Sequence, residues 1–207
     1  VNTIVNCQSK IILCGVGKSG LIAAKIASTL SSVGSPAFSL SANDCLHGDL
    51  GSITRKDVLI LISNSGKSEE IIPIIKFANR NKIKLIGIVS KKNSFLYKGS
   101  DIKILLPEVK ESGLGVVPTS STSIQLAIGD ALAVAALKKK QFSKYDFSRL
   151  HPGGNLGKQL KTVGDIMATG VRIPFISESK SMKEAVKTIS KKKLGVVVVI
   201  NRKKITT

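Results

Sequence analysis

Aromatic, acidic, cysteine and histidine residues are all scarce in this chain, and each scarcity narrows what it can be. Phe, Trp and Tyr together make up 4% of 207 residues, with no Trp at all. Few rings are therefore available to stack on nucleic-acid bases. The 32 Lys and Arg against 13 Asp and Glu, a net charge of +19, do not by themselves make a nucleic-acid binder. The excess is mostly Lys scattered along the chain, as at Lys82, Lys84, Lys91, Lys92, Lys98 and Lys103, and reads as a solvated basic surface that favours anionic substrates. Cys7, Cys14 and Cys45 are odd in number and lack metal-ligand spacing, which points to reduced thiols in a cytoplasmic protein without a bound metal. Long apolar runs are also missing. Lys25, Asp130 and frequent Ser or Gly interrupt the apolar segments before they reach the roughly 18 residues of a membrane span, so no membrane partner is expected. The first residues lack the basic-then-apolar order of a signal peptide, and the start at Val1 near a strand-like run suggests a missing N-terminal piece.

What is present is a 43% hydrophobic complement, enough for one domain of ordinary size and a fragment of another. Apolar, β-branched runs alternate with longer helical patterns, which predicts βαβ units and a parallel sheet. Strands are expected at Ile11–Cys14, Ala37–Leu40, Val58–Ile62, Lys84–Val89 and Ile102–Leu106. Helices are expected at Leu21–Leu30, Glu69–Asn79 and Ser120–Lys140, the last with Ile124, Ile128, Leu132 and Ala135 on one stripe. After Leu160 the texture changes. A new unit opens at Thr162–Met167 and continues with a helix around Met182–Lys192 and a strand at Val196–Ile200, so a domain boundary is expected near residue 160.

Gly15, Gly17 and Gly20 match G-x-G-x-x-G between a strand and a helix, the context of a dinucleotide fingerprint. The acid that would bind a ribose hydroxyl is missing, because the second strand ends in Phe38-Ser39-Leu40-Ser41 and Asp44 is poorly placed. A P-loop fails too, since Gly17-Lys18-Ser19 would need a glycine where Ile12 stands. Either the glycines serve a tight turn alone, or Lys18 marks a ligand site at the carboxyl end of the sheet. Ser63-Asn64-Ser65-Gly66-Lys67-Ser68 follows the third strand and precedes a helix. Ser65 or Ser68 alone would suffice as a helix cap. Three hydroxyls flanking a glycine fit a phosphate cradle better, with free N–H groups and the helix dipole adding to them. His47 and His151 are the chain's two histidines, and each lies beside a glycine-rich turn.

Gly15-Val16-Gly17-Lys18-Ser19-Gly20, His47-Gly48-Asp49-Leu50-Gly51, Ser63-Asn64-Ser65-Gly66, Pro118-Thr119-Ser120-Ser121-Thr122 and His151-Pro152-Gly153-Gly154 occur in one order. Together they resemble the KpsF/GutQ-type D-arabinose 5-phosphate isomerases over about residues 10 to 170. These consist of a sugar isomerase (SIS) domain followed by paired CBS modules. The resemblance implies a three-layer αβα sandwich with a five-stranded, flavodoxin-like parallel sheet over residues 1–160. Residues 161–207 would be an incomplete first CBS module, Val163–Met167 being similar to its start.

It implies aldose-ketose isomerisation of D-ribulose 5-phosphate and D-arabinose 5-phosphate through an enediolate, with no cofactor and no metal. Lys18, Glu70, Glu111 and His151 would form the catalytic set. Gly17, Ser19, His47, Ser63, Ser65, Gly66, Ser68, Thr119 and Ser120 would bind the substrate. Family members read Glu-Ala-Cys-Pro-Leu-Gly where this chain has the shorter Glu111-Ser112-Gly113-Leu114-Gly115, so Glu108 stands as an alternative carboxylate. Thr119–Thr122 is either a second hydroxyl cluster on phosphate or the N-cap of the long helix. A homo-oligomer, dimer or tetramer, is implied, in which His151 reaches a neighbouring subunit's site, and the family's product feeds lipopolysaccharide precursor synthesis in Gram-negative bacteria. Two other readings compete: a non-catalytic SIS sensor of sugar phosphates, and a nicotinamide-dependent oxidoreductase disfavoured by the missing acid.

Overall fold

The computed structural model describes residues 1–152 and 161–201. The chain divides into two compact units, Val1–Lys158 and Gln159–Thr207. The expected boundary near residue 160 falls at residues 153–160, which lie outside the described residues, as do Gly153 and Gly154 of the His151 motif.

The first unit opens with a short helix α1 (Asn2–Val5) and then lays down five parallel strands: β1 (Ile11–Gly15), β2 (Ala37–Ser41), β3 (Val58–Ser63), β4 (Lys84–Val89) and β5 (Ile102–Leu105). Their order across the sheet is β2-β1-β3-β4-β5. β1 and β3 are buried at every position, as continuously apolar strands covered on both faces must be. Alternate residues feed two cores. Ile11, Leu13, Val58, Ile60 and Ile62 meet α2 (Lys18–Ser32) and α6 (Ser120–Lys139). Ile12, Cys14, Leu59 and Leu61 meet α3 (Ala42–Cys45), α4 (Ile71–Arg80) and α5 (Phe95–Gly99). The result is the three-layer sandwich that the resemblance implied, built on the parallel sheet expected from the alternation of strands and helices.

The short helices α1, α3 and α5 leave no periodic signal, having four or five residues each. Ser41 and Ser94 start α3 and α5 by accepting the N–H groups of Asp44 and Tyr97. The long helix α6 departs from expectation. Its buried line is Ser121, Gln125, Gly129, Ala133 and Ala136, while Ile124, Ile128 and Leu132 are half-buried beside it. Small residues win the inner position because α2 comes close: a Cβ on Gly129 would stand 2.2 Å from Ile26. Among the described residues α6 is also the one helix long and apolar enough to cross a membrane, and here it packs against α2 and the sheet.

At the amino edge of the sheet, Asp57 locks β1 to β3. Its side chain is fully buried and receives the Lys10 ammonium and backbone N–H, the Thr54 N–H at 2.6 Å and the Thr54 hydroxyl at 2.9 Å. Burial pushes this carboxyl upward, but bonds from the Thr54 backbone, Ser9, the Thr54 hydroxyl and Lys10 outweigh it and bring its pKa to about 2.

The second unit has a one-turn helix α8 (Val163–Ile166), β6 (Phe175–Ser177), α9 (Met182–Lys192) and β7 (Val198–Ile200), with β6 and β7 parallel. A capping box between Ser181 and Glu184 starts α9.

An Asp57 carboxyl lowered from 3.8 to about 2 stabilises the fold above pH 3.8 and loses that contribution as pH falls toward 2, a difference of about 2 kcal/mol. Asp57→Asn is expected to lower stability at pH 7 by roughly 2–4 kcal/mol and to flatten the decline between pH 4 and 2, as read by urea unfolding across that range.

Candidate functional site

The chain leaves β1 toward β2 on one side and β3 toward β4 on the other, so the carboxyl ends of β1 and β3 form the topological switch point, where open α/β sheets bind ligands. Gly15 is paired with Ile62, which sets the glycine loop beside the serine loop. Each glycine in the first loop has its own reason. A Cβ on Gly15 would lie 2.8 Å from the Ser19 carbonyl carbon, and one on Gly20 would lie 2.8 Å from the Gly15 oxygen, so strand and helix meet backbone to backbone. Gly17 has φ +55° and open space around it, as its position at the N-cap of α2 requires. This loop presents Lys18, exposed at the first position of α2, with Ser19 half-buried next to it.

In the serine loop the buried Ser63 hydroxyl accepts the Gly66 N–H at 3.0 Å, and Ser65 accepts the Lys67 N–H at 3.3 Å. Gly66 is confined twice over, by φ +63° and by Ser94, whose Cβ would be 2.6 Å from an added methyl. No side chain caps α4: Glu70, half-buried, sits at its N-cap position without a capping bond, and the Ser68 carbonyl accepts the Ile71 N–H at 3.2 Å. The helix-cap alternative for these serines is therefore set aside. Asn64 is drawn the other way, its side-chain oxygen accepting the Ser90 hydroxyl at 2.7 Å.

The third contributor is the amino end of α6. Gly129 lies on Ile26 and Asp130 pairs with Lys25, so α6 runs alongside α2 and brings Thr119–Ser121 toward the start of that helix. Glu111 takes over the capping here. Its Oε2 accepts the Thr119 N–H at 2.7 Å, the Ser121 N–H at 3.2 Å and the Thr119 hydroxyl at 3.2 Å. Hydrogen bonding from Ser121, then from the Thr119 backbone, holds its pKa at about 2. In this arrangement Glu111 clamps the start of α6. Thr119 is at the N-cap position but makes no side-chain cap; its hydroxyl instead links Glu111 to the Ser112 N–H. Ser120 lies 3.4 Å from the Ser112 hydroxyl.

His47 is exposed in the turn after α3, on the segment that leaves the carboxyl end of β2. His151 is elsewhere. The 20 residues of α6 carry the chain about 30 Å down the sheet. At the bottom, Lys140 Nζ donates to the Gly34 carbonyl at 2.9 Å and contacts the Ser35 hydroxyl, just before β2. The following helix α7 (Lys144–Leu150) stays there, since Arg149 and Leu150 line a cleft with Gly34 and Phe142. His151 ends α7 at the amino edge, opposite Lys18. Its ring stacks on Phe147 with centroids 3.8 Å apart, and Nδ1 is 2.8 Å from the Phe147 carbonyl. A carbonyl can only accept, so Nδ1 carries a proton, and in the neutral form the lone pair lies on Nε2.

A family model described as the SIS domain matches residues 4–135. The chain belongs to the SIS domain family. It is 44% identical over 198 residues to the arabinose 5-phosphate isomerase KdsD of Yersinia pestis, covering 95% of this chain and 60% of that protein. It is 39% identical over 202 residues to the uncharacterized protein RP505 of Rickettsia prowazekii (strain Madrid E), covering 98% and 63% respectively. Among solved structures, the c3406 protein of E. coli CFT073 in complex with arabinose 5-phosphate matches with a TM-score of 0.71 at 38% identity, covering 73% of this chain and 81% of that one. The chain spans about 60% of the length of the curated relatives it matches.

Within the SIS domain, then, one chain brings Gly17, Lys18, Ser19, Ser63, Ser65, Gly66, Ser68 and Glu70 to the switch point. Thr119, Ser120 and Glu111 lie at the start of α6, His47 flanks the sheet, and His151 stands apart. Among the described residues no group of three His, Cys, Asp or Glu side chains could hold a metal. Sequence reasoning missed the Ser90–Asn64 bond and the packing of Ser94 under Gly66. Both follow from the register of β3 and β4, in which Ser63 lies opposite Val89 and Ser90 one residue beyond it, a pairing visible only in the folded chain.

Glu111→Gln is expected to loosen the Thr119 and Ser121 amides. Their hydrogen exchange should speed up at neutral pH while the amides of β3 keep wild-type protection, a pattern read residue by residue by NMR.

Proposed function

We propose that the protein of which this chain is part is an aldose-ketose isomerase interconverting D-ribulose 5-phosphate and D-arabinose 5-phosphate. The observation that carries this reading is the uncapped serine loop beside Lys18 at the switch point. It gives a phosphate donors from the hydroxyls of Ser63, Ser65 and Ser68 and from backbone at a helix start, next to a fixed positive charge. The KdsD relative and the arabinose 5-phosphate complex of the c3406 protein support the choice of sugar phosphate.

Moving a carbonyl by one carbon requires removing a proton from the adjacent carbon and returning it to the other, with an enediolate between. Lys18 stabilises the negative charge that develops on the sugar oxygens. Glu70, at the start of α4 and half-buried, is the carboxylate best placed to handle the carbon-bound proton. Gly17 and Ser19 shape the glycine loop around the substrate, Gly66 lets the serine loop turn, and His47, Thr119 and Ser120 position the sugar. His151 moves hydroxyl protons through Nε2, the nitrogen its Phe147 bond leaves basic. Because it stands at the opposite edge of the sheet from Lys18, it serves the site of a second copy, which makes the active form a homo-oligomer. Residues 161–207 are read as the first part of a CBS module, and the free cysteines are in keeping with a cytoplasmic setting. The sensor reading gains nothing from the site, since a sensor has no use for Lys18, Glu70 and His151 together.

Incubating the full-length protein with ribulose 5-phosphate and following arabinose 5-phosphate tests the reading. Turnover is expected, and Ser65→Ala should raise KM several-fold with a smaller effect on kcat, as loss of a ground-state phosphate contact requires. Tight binding of the sugar phosphate without turnover would favour the sensor.

A further inference from the structure

A cleft of about 530 Å³ opens at the carboxyl ends of β4 and β5, on the far side of the serine loop from Lys18. None of the residues assigned to the sugar phosphate lines it except Ser65. Its floor is the Ser90–Ser94 segment, which is held at both ends. Ser90 donates to Asn64, and the Ser94 hydroxyl donates to the Lys91 carbonyl while accepting the Tyr97 N–H. This fixes two consecutive lysines, Lys91 and Lys92, at the cleft, and Lys67 enters from the serine loop. Glu108 is the one acidic side chain in the lining, and it is paired with Lys91. Three ammonium groups against one carboxylate leave the cleft with a net charge of +2. Leu105, Leu106 and Pro107 supply an apolar wall.

We propose that this cleft is a second anion site, separate from the serine-loop cradle, for a small organic molecule carrying two or more phosphate or carboxylate groups. The volume suits a compact ligand of that class, and the position beyond the carboxyl ends of parallel strands is where such sheets bind ligands. One anionic group meets Lys67 and Lys92; a second replaces Glu108 on Lys91. The cleft adjoins the serine loop, because Lys67 belongs to that loop and the Ser90–Asn64 bond joins its other end to the cleft floor.

The test is calorimetric titration of the full-length protein with inorganic pyrophosphate at low ionic strength. Lys91→Gln/Lys92→Gln is compared with Lys138→Gln/Lys139→Gln, which removes the same charge from exposed positions at the end of α6. Wild type is expected to show a binding event that the Lys91/Lys92 variant weakens at least tenfold, that Lys91→Arg/Lys92→Arg restores, and that the α6 variant leaves within twofold. Equal weakening in both glutamine variants would assign the effect to diffuse surface charge and overturn the proposal. Binding unchanged in the Lys91/Lys92 variant would do the same, placing pyrophosphate in the serine loop only. None of these readings needs isomerase activity, so the result stands apart from the fate of the proposed reaction.

Discussion

A single buried carboxylate at the foot of the sheet sets the geometry at its top. Asp57 binds the ammonium and N–H of Lys10, and the Val58 N–H donates to the Lys10 carbonyl, so the entries to β1 and β3 are tied at one level. With that register fixed, Gly15 and Ile62 finish side by side, and the glycine and serine loops emerge as neighbours. The helices that follow them leave on opposite faces, opening the crevice between the loops. A slip of one residue would exchange the two core faces of β1 and move Lys18 away from the hydroxyls.

The crevice is shaped mainly by backbone. Gly15 and Gly20 allow strand and helix to touch, Gly17 and Gly66 take conformations that side chains rarely adopt, and Ser63 is used in closing its own loop. The charged residues are placed by this frame in different ways. Lys18 stands free on the first turn of α2. Glu111 is bound down as the cap of α6 and kept ionised well below neutral pH. His151 is positioned by Phe147 on two sides, by stacking and by a hydrogen bond, which selects its tautomer.

The sheet and its connections were legible because β-branched runs such as Val58–Ile62 and Ile11–Cys14 admit little but a strand buried on both faces. The serine and glycine loops were legible for a related reason: both lie between strand and helix, where backbone donors collect. Other features depended on contacts distant in sequence. The inner stripe of α6 is small because of Ile26, about a hundred residues earlier, and the large residues that periodicity favours lie beside it. Glu111 reads as a loop carboxylate until the N–H groups eight and ten residues later are seen to converge on it. For His151 the sequence shows a glycine turn beyond the long helix, and the direction of α6 and the anchoring of Lys140 on Gly34 put it at the opposite edge of the sheet from Lys18.

The central claim is that the site is completed by two copies, with Lys18 from one and His151 from the other. Mixing two inactive variants tests it: Lys18→Met and His151→Ala, each purified alone, then unfolded and refolded together. The account predicts that the mixture regains a substantial fraction of wild-type isomerisation, because some sites in mixed oligomers pair an intact Lys18 with an intact His151. A mixture as inactive as its components, although mixed oligomers form, would show that both residues act within one chain and would contradict the account.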